Sequence, residues 1–158
     1  MYGLIISLSI LVSILVAGKI ASKEGKNPDI AWDISLVAIL SGIFGARIYH
    51  VIDYWFYYKT NPLRVFYIWE GGLGIYGALL FSIGALVLYL RAKKMDVRYW
   101  VNLVATVVPL GQAAGRWGNF FNQELFGKPT EFFWGLYVAP DQRPAQYLTH
   151  QKFHPLFL

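Results

Sequence analysis

The sequence predicts an all-α integral membrane protein with about four transmembrane helices, an interfacial aromatic arm and an extracytoplasmic loop region. Of its 158 residues, 56% are hydrophobic and 15% are charged, whereas a soluble domain carries about 25% charged residues. Apolar stretches recur at about the 20-residue length that a helix needs to cross a bilayer. No sequence repeat stands out, so residues 1–158 are interpreted as a single membrane domain.

Four apolar stretches are the predicted spans, at residues 2–21, 34–54, 72–90 and 99–115. The first could instead be a signal peptide, but no basic residue precedes its apolar run and the run is long, which favours a true span. Pro109 predicts a kink in the fourth span. Gly111 and Gly115 have the spacing that lets two helices approach closely, although a role at a functional site stays open for both.

Charged residues between the spans predict the orientation. The basic residues of the first and third links are Lys19, Lys23, Lys26, Arg91, Lys93, Lys94 and Arg98. The second link carries only Lys59 and Arg64. The positive-inside rule then places the first and third links in the cytoplasm, and the N-terminus and residues 116–158 on the extracytoplasmic side. Because the basic residues fall in short links, the net charge of +5 does not indicate binding of nucleic acid.

The composition excludes several chemistries. The sequence has no cysteine, which excludes a disulfide framework, a cysteine-based metal site and a cysteine nucleophile from this chain. His150 and His154 have the i,i+4 spacing of two metal ligands on a helix, but no acidic third ligand or His-Glu-x-x-His pattern accompanies them. We therefore predict neither a metal nor a cofactor.

The link between the second and third spans is rich in aromatic residues. Residues 50–69 contain Tyr54, Trp55, Phe56, Tyr57, Tyr58, Phe66, Tyr67 and Trp69. Such rings suit the headgroup layer of a membrane, where one ring edge stays wet, and Asn61-Pro62 should end any helix there. The link is either an arm that lies on the membrane where lipid enters or an ordinary aromatic belt.

Polar residues cluster at 115–127, directly after the fourth predicted span. Ionisable groups are costly at the edge of hydrocarbon and indicate function there, and the guanidinium of Arg116 is suited to bind a phosphate through two parallel hydrogen bonds. Asn119, at i+3, would share a face with Arg116 in a continued helix. Glu124 could hold the guanidinium from a nearby turn, and Asn122 is either a site residue or a capping residue. The alternative for Arg116 is a side chain that only snorkels to the headgroups.

Two further groups lie on the predicted outer side. The glycines of residues 71–77 would allow close backbone approach and leave amides free near a helix N-terminus. Tyr76, inside this cluster, either exchanges a proton with a substrate or is an interfacial anchor. Arg47, late in the second span, is either a second cation for the same anion or a partner for Asp53 or Glu124.

The segment Gly-Arg-Trp-Gly-Asn-Phe-Phe-Asn-Gln-Glu-Leu-Phe-Gly at 115–127 closely resembles the signature of the prolipoprotein diacylglyceryl transferase family. Supporting matches are Tyr2-Gly3-Leu4, Gly45-Ala46-Arg47, Trp69-Glu70-Gly71-Gly72-Leu73 and His154-Pro155. The resemblance implies transfer of the diacylglyceryl group from phosphatidylglycerol to the lipobox cysteine thiol of a prolipoprotein signal peptide, among the lipids of the bacterial cytoplasmic (inner) membrane. The substrate supplies the nucleophile, which agrees with a chain that lacks cysteine.

The same resemblance implies roles for individual residues. Arg116 would bind the phosphate and stabilise the charge that grows on the leaving group, which is electrostatic catalysis. Asn119 and Glu124 would shape the polar pocket, Gly115 would permit close approach, and Tyr2 would contact the lipid headgroup. The predicted catalytic set is Arg116, Tyr76 and Glu124, and the predicted substrate-binding set is Arg116, Asn119, Gly115, Tyr2, Arg47 and Asn122.

Three features depart from the family pattern. The family often has a histidine, proposed as the general base, at the position of Tyr76. Phenols have a reference pKa of about 10 and are poor bases near neutrality, so either other groups activate the thiol or Tyr76 only orients the substrate. Asn102 stands where an aspartate is frequent. The chain resembles roughly the first three-fifths of such an enzyme, so the alternative function is that of a non-catalytic lipid-binding or scaffolding membrane fragment.

Overall fold

The computed structural model describes residues 2–156, and of Tyr2 only the backbone. Its α-helices are α1 Tyr2–Lys23, α2 Asp29–Asp53, α3 Trp55–Tyr58, α4 Ile75–Ala92 and α5 Val97–Asn122. Short 3₁₀ helices lie at Pro62–Phe66, Ile68–Glu70, Pro140–Gln142 and Ala145–Tyr147. The strands β1 Leu136–Tyr137 and β2 Lys152–Phe153 form a two-stranded sheet. The predicted all-α membrane class is confirmed.

Among the described residues, three helices are long and apolar enough, by length and composition, to cross a membrane: Gly3–Lys23, Asp29–Asp53 and Ile75–Ala92. They correspond to the first three predicted spans. The helix α5 has 26 residues, which is about 39 Å at the rise of an α-helix. Polar side chains interrupt its apolar sequence, so a fourth crossing stays a prediction.

The boundaries of the later helices differ from the predicted ones. The helix α4 begins at Ile75 rather than residue 72, because Gly71 and Gly72 have φ angles of +85° and +74° that a helix cannot contain. The helix α5 continues past residue 115 to Asn122, so Arg116 lies inside a helix rather than after it. Pro109 does not end α5, since a proline removes one helical hydrogen bond but has a helical φ angle.

The end of α5 is a Schellman motif. Gln123 has a φ angle of +53°, its amide donates to the carbonyl of Phe120 at 3.1 Å, and the amide of Glu124 donates to the carbonyl of Asn119 at 2.9 Å. Glycine usually occupies the left-handed position of this motif because it has no Cβ. Here the Gln123 side chain contributes instead, since its Oε1 accepts a hydrogen bond from the amide of Ala139 at 2.6 Å.

The chain divides into two compact units: a central unit, Ala17–Val104, and a terminal unit, Met1–Val16 with Ala105–Leu158. In the central unit, α2 and α4 touch through their backbones. A Cβ added to Gly77 would lie 2.2 Å from the carbonyl oxygen of Gly45, so neither position tolerates a side chain. One turn further, the Ser82 hydroxyl donates to the carbonyl of Ala38 at 2.7 Å. Small residues therefore set the spacing of this helix pair, as they do in many membrane proteins.

In the terminal unit, a small sheet follows α5. The strands β1 and β2 are antiparallel, with Leu136 opposite Phe153, and Pro129 forms a bridge to Phe153 on the other side. Phe153 and Val138 are 0% and 2% exposed. The segment from residue 126 to 156 thus has a core of its own, and it begins four residues after α5 ends at Asn122.

Candidate functional site

Arg116 lies in the last two turns of α5, and its side chain is exposed. Its Nη1 donates to the carbonyl oxygen of Leu156 at 3.2 Å. Within the described residues 2–156 this is the only hydrogen bond of the guanidinium, and no ion pair involves it. An arginine has five N–H donors, so most of its hydrogen-bonding capacity is left for a ligand.

Asn119 lies one turn after Arg116 in the same helix, as its spacing predicts, and is half-buried. Its side-chain amide has no hydrogen bond within the described part of the chain, while its backbone carbonyl accepts from Glu124 at the end of the helix. Residues three apart on a helix are neighbours on its surface. The two side chains therefore form one polar face with unused donors and acceptors.

Glu124 does not hold Arg116, contrary to the expectation from the sequence. Its Oε1 accepts from Nδ2 of Asn122 at 3.3 Å, and in the region that the structure describes it forms no ion pair with Arg116. The physical reason is the end of α5, because the left-handed Gln123 separates the two residues and takes Glu124 off the helix face. Asn122, half-buried at the last helical position, contacts Glu124 rather than Arg116.

Gly115 and Gly111 have different surroundings. A Cβ added to Gly111 would lie 3.7 Å from the Ser13 hydroxyl, an ordinary packing contact, whereas one added to Gly115 would meet no atom within 4 Å. The packing interpretation therefore fits Gly111 and has no support at Gly115 in the described structure. Next to Arg116, the absent side chain of Gly115 leaves room on the helix surface.

The carbonyl that Arg116 contacts is held by the edge of the small sheet. The amide of Gly127 donates to the carbonyl of His154 at 2.7 Å, and the amide of His154 donates to that of Lys128 at 3.0 Å. A Cβ on Gly127 would lie 3.0 Å from both His154 Cβ and Leu156 Cγ. Sequence reasoning missed Leu156, because a backbone carbonyl gives no sequence signal. It also missed Gly127, whose lack of a side chain lets His154 and Leu156 pack against its backbone.

Arg47, in the central unit, has an environment opposite to that of Arg116. It is 6% exposed, and each of its five N–H donors points to a backbone carbonyl. The acceptors are Val65 for Nε, Gly71 and Gly72 for Nη1, and Arg64 and Tyr67 for Nη2. The guanidinium also lies 5.2 Å from the ring centre of Tyr58. Arg47 is thus neither a free cation nor the partner of a carboxylate here, and binding of a phosphate by it stays a prediction.

The carbonyls of Gly71 and Gly72 reach Arg47 because both residues have positive φ angles. At Gly72 an added Cβ would also lie 2.5 Å from Nε2 of His50, whereas at Gly71 it would meet nothing within 4 Å. The amide of Gly74 donates to the carbonyl of Ala46 at 2.9 Å. The glycines before α4 therefore serve the fold of the aromatic link, and the amide of Gly74 is not free for an anion.

A cavity of about 380 Å³ lies between α2 and the aromatic link. It is lined by Arg47, His50, Tyr54, Tyr57, Tyr58, Arg64, Glu70, Gly71 and Gly72. Arg64 donates to the Tyr57 hydroxyl, and this hydrogen bond, with Glu70 as a smaller cause, raises the pKa of Arg64. The lining combines two permanent cations, Arg47 and Arg64, with a carboxylate and tyrosine rings, a mixture that suits the polar layer of a membrane.

Tyr76 lies in the first turn of α4 and is 66% exposed. Its ring centre is 5.9 Å from that of Tyr49 on α2, so one ring face is supported while the hydroxyl is accessible. This position suits either predicted role, orientation of a substrate or anchorage at the interface. The side chain of Tyr2 lies outside the described part of the structure.

Comparison with known proteins places these residues in a family context. A family model described as prolipoprotein diacylglyceryl transferase matches residues 1–158. A phosphatidylglycerol–prolipoprotein diacylglyceryl transferase of Nostoc sp. is 38% identical over 157 residues, which are 99% of this chain and 56% of the relative. Similar relatives from Synechococcus elongatus and Prochlorococcus marinus are 37% and 34% identical, with 99% of this chain and 54% and 58% of their own lengths covered. The chain thus spans little more than half the length of these relatives.

Proposed function

The chain belongs to the prolipoprotein diacylglyceryl transferase family, and we propose that its protein transfers a diacylglyceryl group from phosphatidylglycerol to the lipobox cysteine of a prolipoprotein. The proposal concerns the whole protein, because this chain spans 56% of the first relative. The observation that carries it is the exposed guanidinium of Arg116, which has one hydrogen bond within the described residues and follows a largely apolar helical stretch.

In this reaction negative charge develops on a phosphate group, so the site must above all bind an anion. The cysteine sulfur attacks the glyceryl carbon, a C–S bond forms, and the C–O bond to phosphate breaks. The electron pair of that bond leaves with glycerol phosphate, so negative charge grows on the phosphate oxygens. Arg116 can donate two parallel hydrogen bonds to those oxygens, and this stabilisation is strongest in the transition state, where it lowers the barrier.

The neighbours of Arg116 support the same site. Asn119 offers a side-chain amide that has no hydrogen bond within residues 2–156, on the same face of α5, and Gly115 leaves space in which a headgroup can approach the helix. We assign Asn122 and Glu124 to the edge of this site, where Glu124 accepts a hydrogen bond from Asn122. Tyr2 is proposed as a further contact with the headgroup.

The thiol proton must pass to a base as the sulfur attacks. Tyr76 and Glu124 are the predicted catalytic candidates besides Arg116, and both side chains are exposed. Carboxylates are commonly used as general bases in enzymes, whereas a protonated phenol is a poor proton acceptor. We therefore propose that Tyr76 orients the substrate. The proton acceptor is then Glu124 or another group near the bound thiol.

The proposed location is the bacterial cytoplasmic membrane, with the N-terminus and the site on the extracytoplasmic side. The basic residues at the C-terminal ends of α1 and α4 and in the links that follow them support this orientation, because lysine and arginine are enriched on the cytoplasmic side. A lipobox cysteine thiol and a phosphatidylglycerol headgroup would then meet at the end of α5 that carries Arg116.

The test is transfer of labelled diacylglyceryl from phosphatidylglycerol to a lipobox peptide by the complete protein. Arg116→Ala should lower the rate by about 100-fold or more, the size of effect found when one transition-state donor is removed. Arg116→Lys should recover little, because an ammonium cannot donate two parallel bonds from a planar fork. Arg116 has one hydrogen bond in the described chain, so the thermal stability of both variants should stay near that of the wild type.

Arg98→Ala is the matched control. It removes the same charge from the opposite end of α5, where the side chain is also exposed, and should leave transfer unchanged. If the Arg116→Ala variant transferred diacylglyceryl at the wild-type rate, the role assigned to Arg116 would be wrong. Equal losses in Arg116→Ala and Arg98→Ala would point to a general effect of charge on α5.

A further inference from the structure

We propose that the turn Glu131–Gly135, here called the aromatic turn, inserts into the headgroup layer of the membrane and anchors the segment that follows α5. In this turn Phe133 is 90% exposed, and Phe132 and Trp134 are 56% and 46% exposed. Three adjacent exposed aromatic residues are unusual on a surface that meets only water. Tryptophan is enriched where protein meets the lipid headgroups, and Phe and Trp are typical of apolar faces that insert into that layer.

The aromatic turn has a defined shape. The amide of Gly135 donates to the carbonyl of Phe132 at 3.0 Å, and the Thr130 hydroxyl accepts from the amide of Phe132 at 3.3 Å. The rings of Phe132 and Trp134 stack with centres 4.5 Å apart and planes 10° apart. Phe133 is thus presented by a formed turn, and its insertion does not require ordering of a flexible loop.

The turn is linked to the strand end that holds Arg116. The indole Nε1 of Trp134 donates to Nδ1 of His154 at 3.4 Å, and two residues further the carbonyl of Leu156 accepts from Arg116. All these residues belong to the terminal unit. If Arg116 lies at the level of lipid phosphates, as proposed above, the aromatic turn lies near the same depth.

Charge and composition favour a bilayer as the occupant. Lys128 and Lys152 are exposed on the sheet segments beside the turn, and an added Cβ at Gly135 would lie 3.0 Å from Cβ of Lys152. Glu131 is the exposed carboxylate beside them. Cations next to inserted rings attract anionic headgroups, and these residues follow directly on a chain that already contains membrane-spanning helices.

The depth of the turn can be measured with one label, because the 158 residues contain no cysteine. Phe133→Cys in the full chain carries an environment-sensitive fluorophore, in nanodiscs of phosphatidylglycerol and phosphatidylcholine with nitroxide lipids. Gln146→Cys, exposed in the 3₁₀ helix Ala145–Tyr147 of the same unit, is the control. The label at 133 should emit at shorter wavelength, be quenched several-fold more by nitroxide lipid and several-fold less by aqueous iodide than the label at 146.

Equal access of iodide to both labels would overturn the proposal. Protection of the label at 133 that appears only after a lipobox peptide is added would also overturn it, since the turn would then bind the peptide rather than the membrane. The inference rests on the proposed depth of Arg116 and not on catalysis. Loss of the transfer function would be seen in the activity of Arg116 variants, whereas this experiment reports depth whether or not transfer occurs.

Discussion

Arg47 and Arg116 are two arginines at the ends of apolar helical segments, and their surroundings are opposite. Arg47 is buried in the central unit and gives all five donors to carbonyls of the link that follows its helix. Arg116 is exposed in the terminal unit and gives one donor to the carbonyl of Leu156. A guanidinium whose donors are all hydrogen-bonded to the protein stabilises the fold, whereas one that keeps donors available can bind a ligand.

The comparison predicts its largest effect on stability at Arg47. Arg47→Ala should lower the free energy of unfolding by about 3 kcal/mol or more, because several part-buried carbonyls lose their donor at once. Arg47→Lys should recover only part of this, since three donors on one nitrogen cannot reach the same acceptors. Thermal unfolding in detergent would measure both. If Arg116→Ala unfolded as readily as Arg47→Ala, the distinction between the two arginines would be wrong.

A smaller effect is expected in the pair of glycines that present their carbonyls to Arg47. Gly72→Ala has both a φ angle of +74° and a clash with His50 at 2.5 Å, whereas Gly71→Ala has only the φ angle of +85°. Gly71 has a ψ angle of −155°, and with its positive φ angle this conformation is open essentially to glycine alone and costs another residue about 1–3 kcal/mol. Gly71→Ala should therefore cost about that much, and the clash with His50 should make Gly72→Ala cost more. The same unfolding assay tests this, and equal losses would contradict the clash at His50.

The smallest change in stability is expected beside Arg116. Gly115→Ala meets no neighbour in the described structure and removes a glycine from a helix, so stability should stay equal or rise by up to about 1 kcal/mol. The transfer rate should nevertheless fall, because the methyl group occupies the space in which we place the headgroup. Gly111→Ala adds the same methyl group about one turn earlier in α5, and it is the control for both measurements, the free energy of unfolding and the transfer rate. Unchanged transfer in Gly115→Ala would remove this glycine from the site.

Much of the fold was predictable from local sequence. Three predicted spans are helices of suitable length and composition, and Arg116 and Asn119 share a helix as their spacing predicts. The span predicted at 99–115 did not locate the end of α5 at Asn122, because Gln123 and not a glycine or proline occupies the left-handed position that ends the helix. A glutamine gives no signal of that conformation.

The hydrogen-bond partners of the arginines were not predictable from the sequence. Glu124 was expected to hold Arg116, but the turn at Gln123 separates them, and a backbone carbonyl 40 residues away contacts Arg116 instead. The acceptors of Arg47 lie 17 to 25 residues along the chain. The residue types of these acceptors do not indicate the contact, since every residue has a backbone carbonyl.

The sequence by itself determined that this chain is a helical membrane protein of a particular family, because hydrophobicity over about 20 residues and a contiguous signature are local properties. Only the tertiary structure decided how many hydrogen bonds Arg47 and Arg116 form within residues 2–156. Hydrogen bonding to backbone carbonyls depends on the path of distant segments, and for Arg47 that path is set by two glycines with positive φ angles. Arg116 keeps most of its donors because, in the part of the chain that the structure describes, one carbonyl, that of Leu156, reaches its guanidinium.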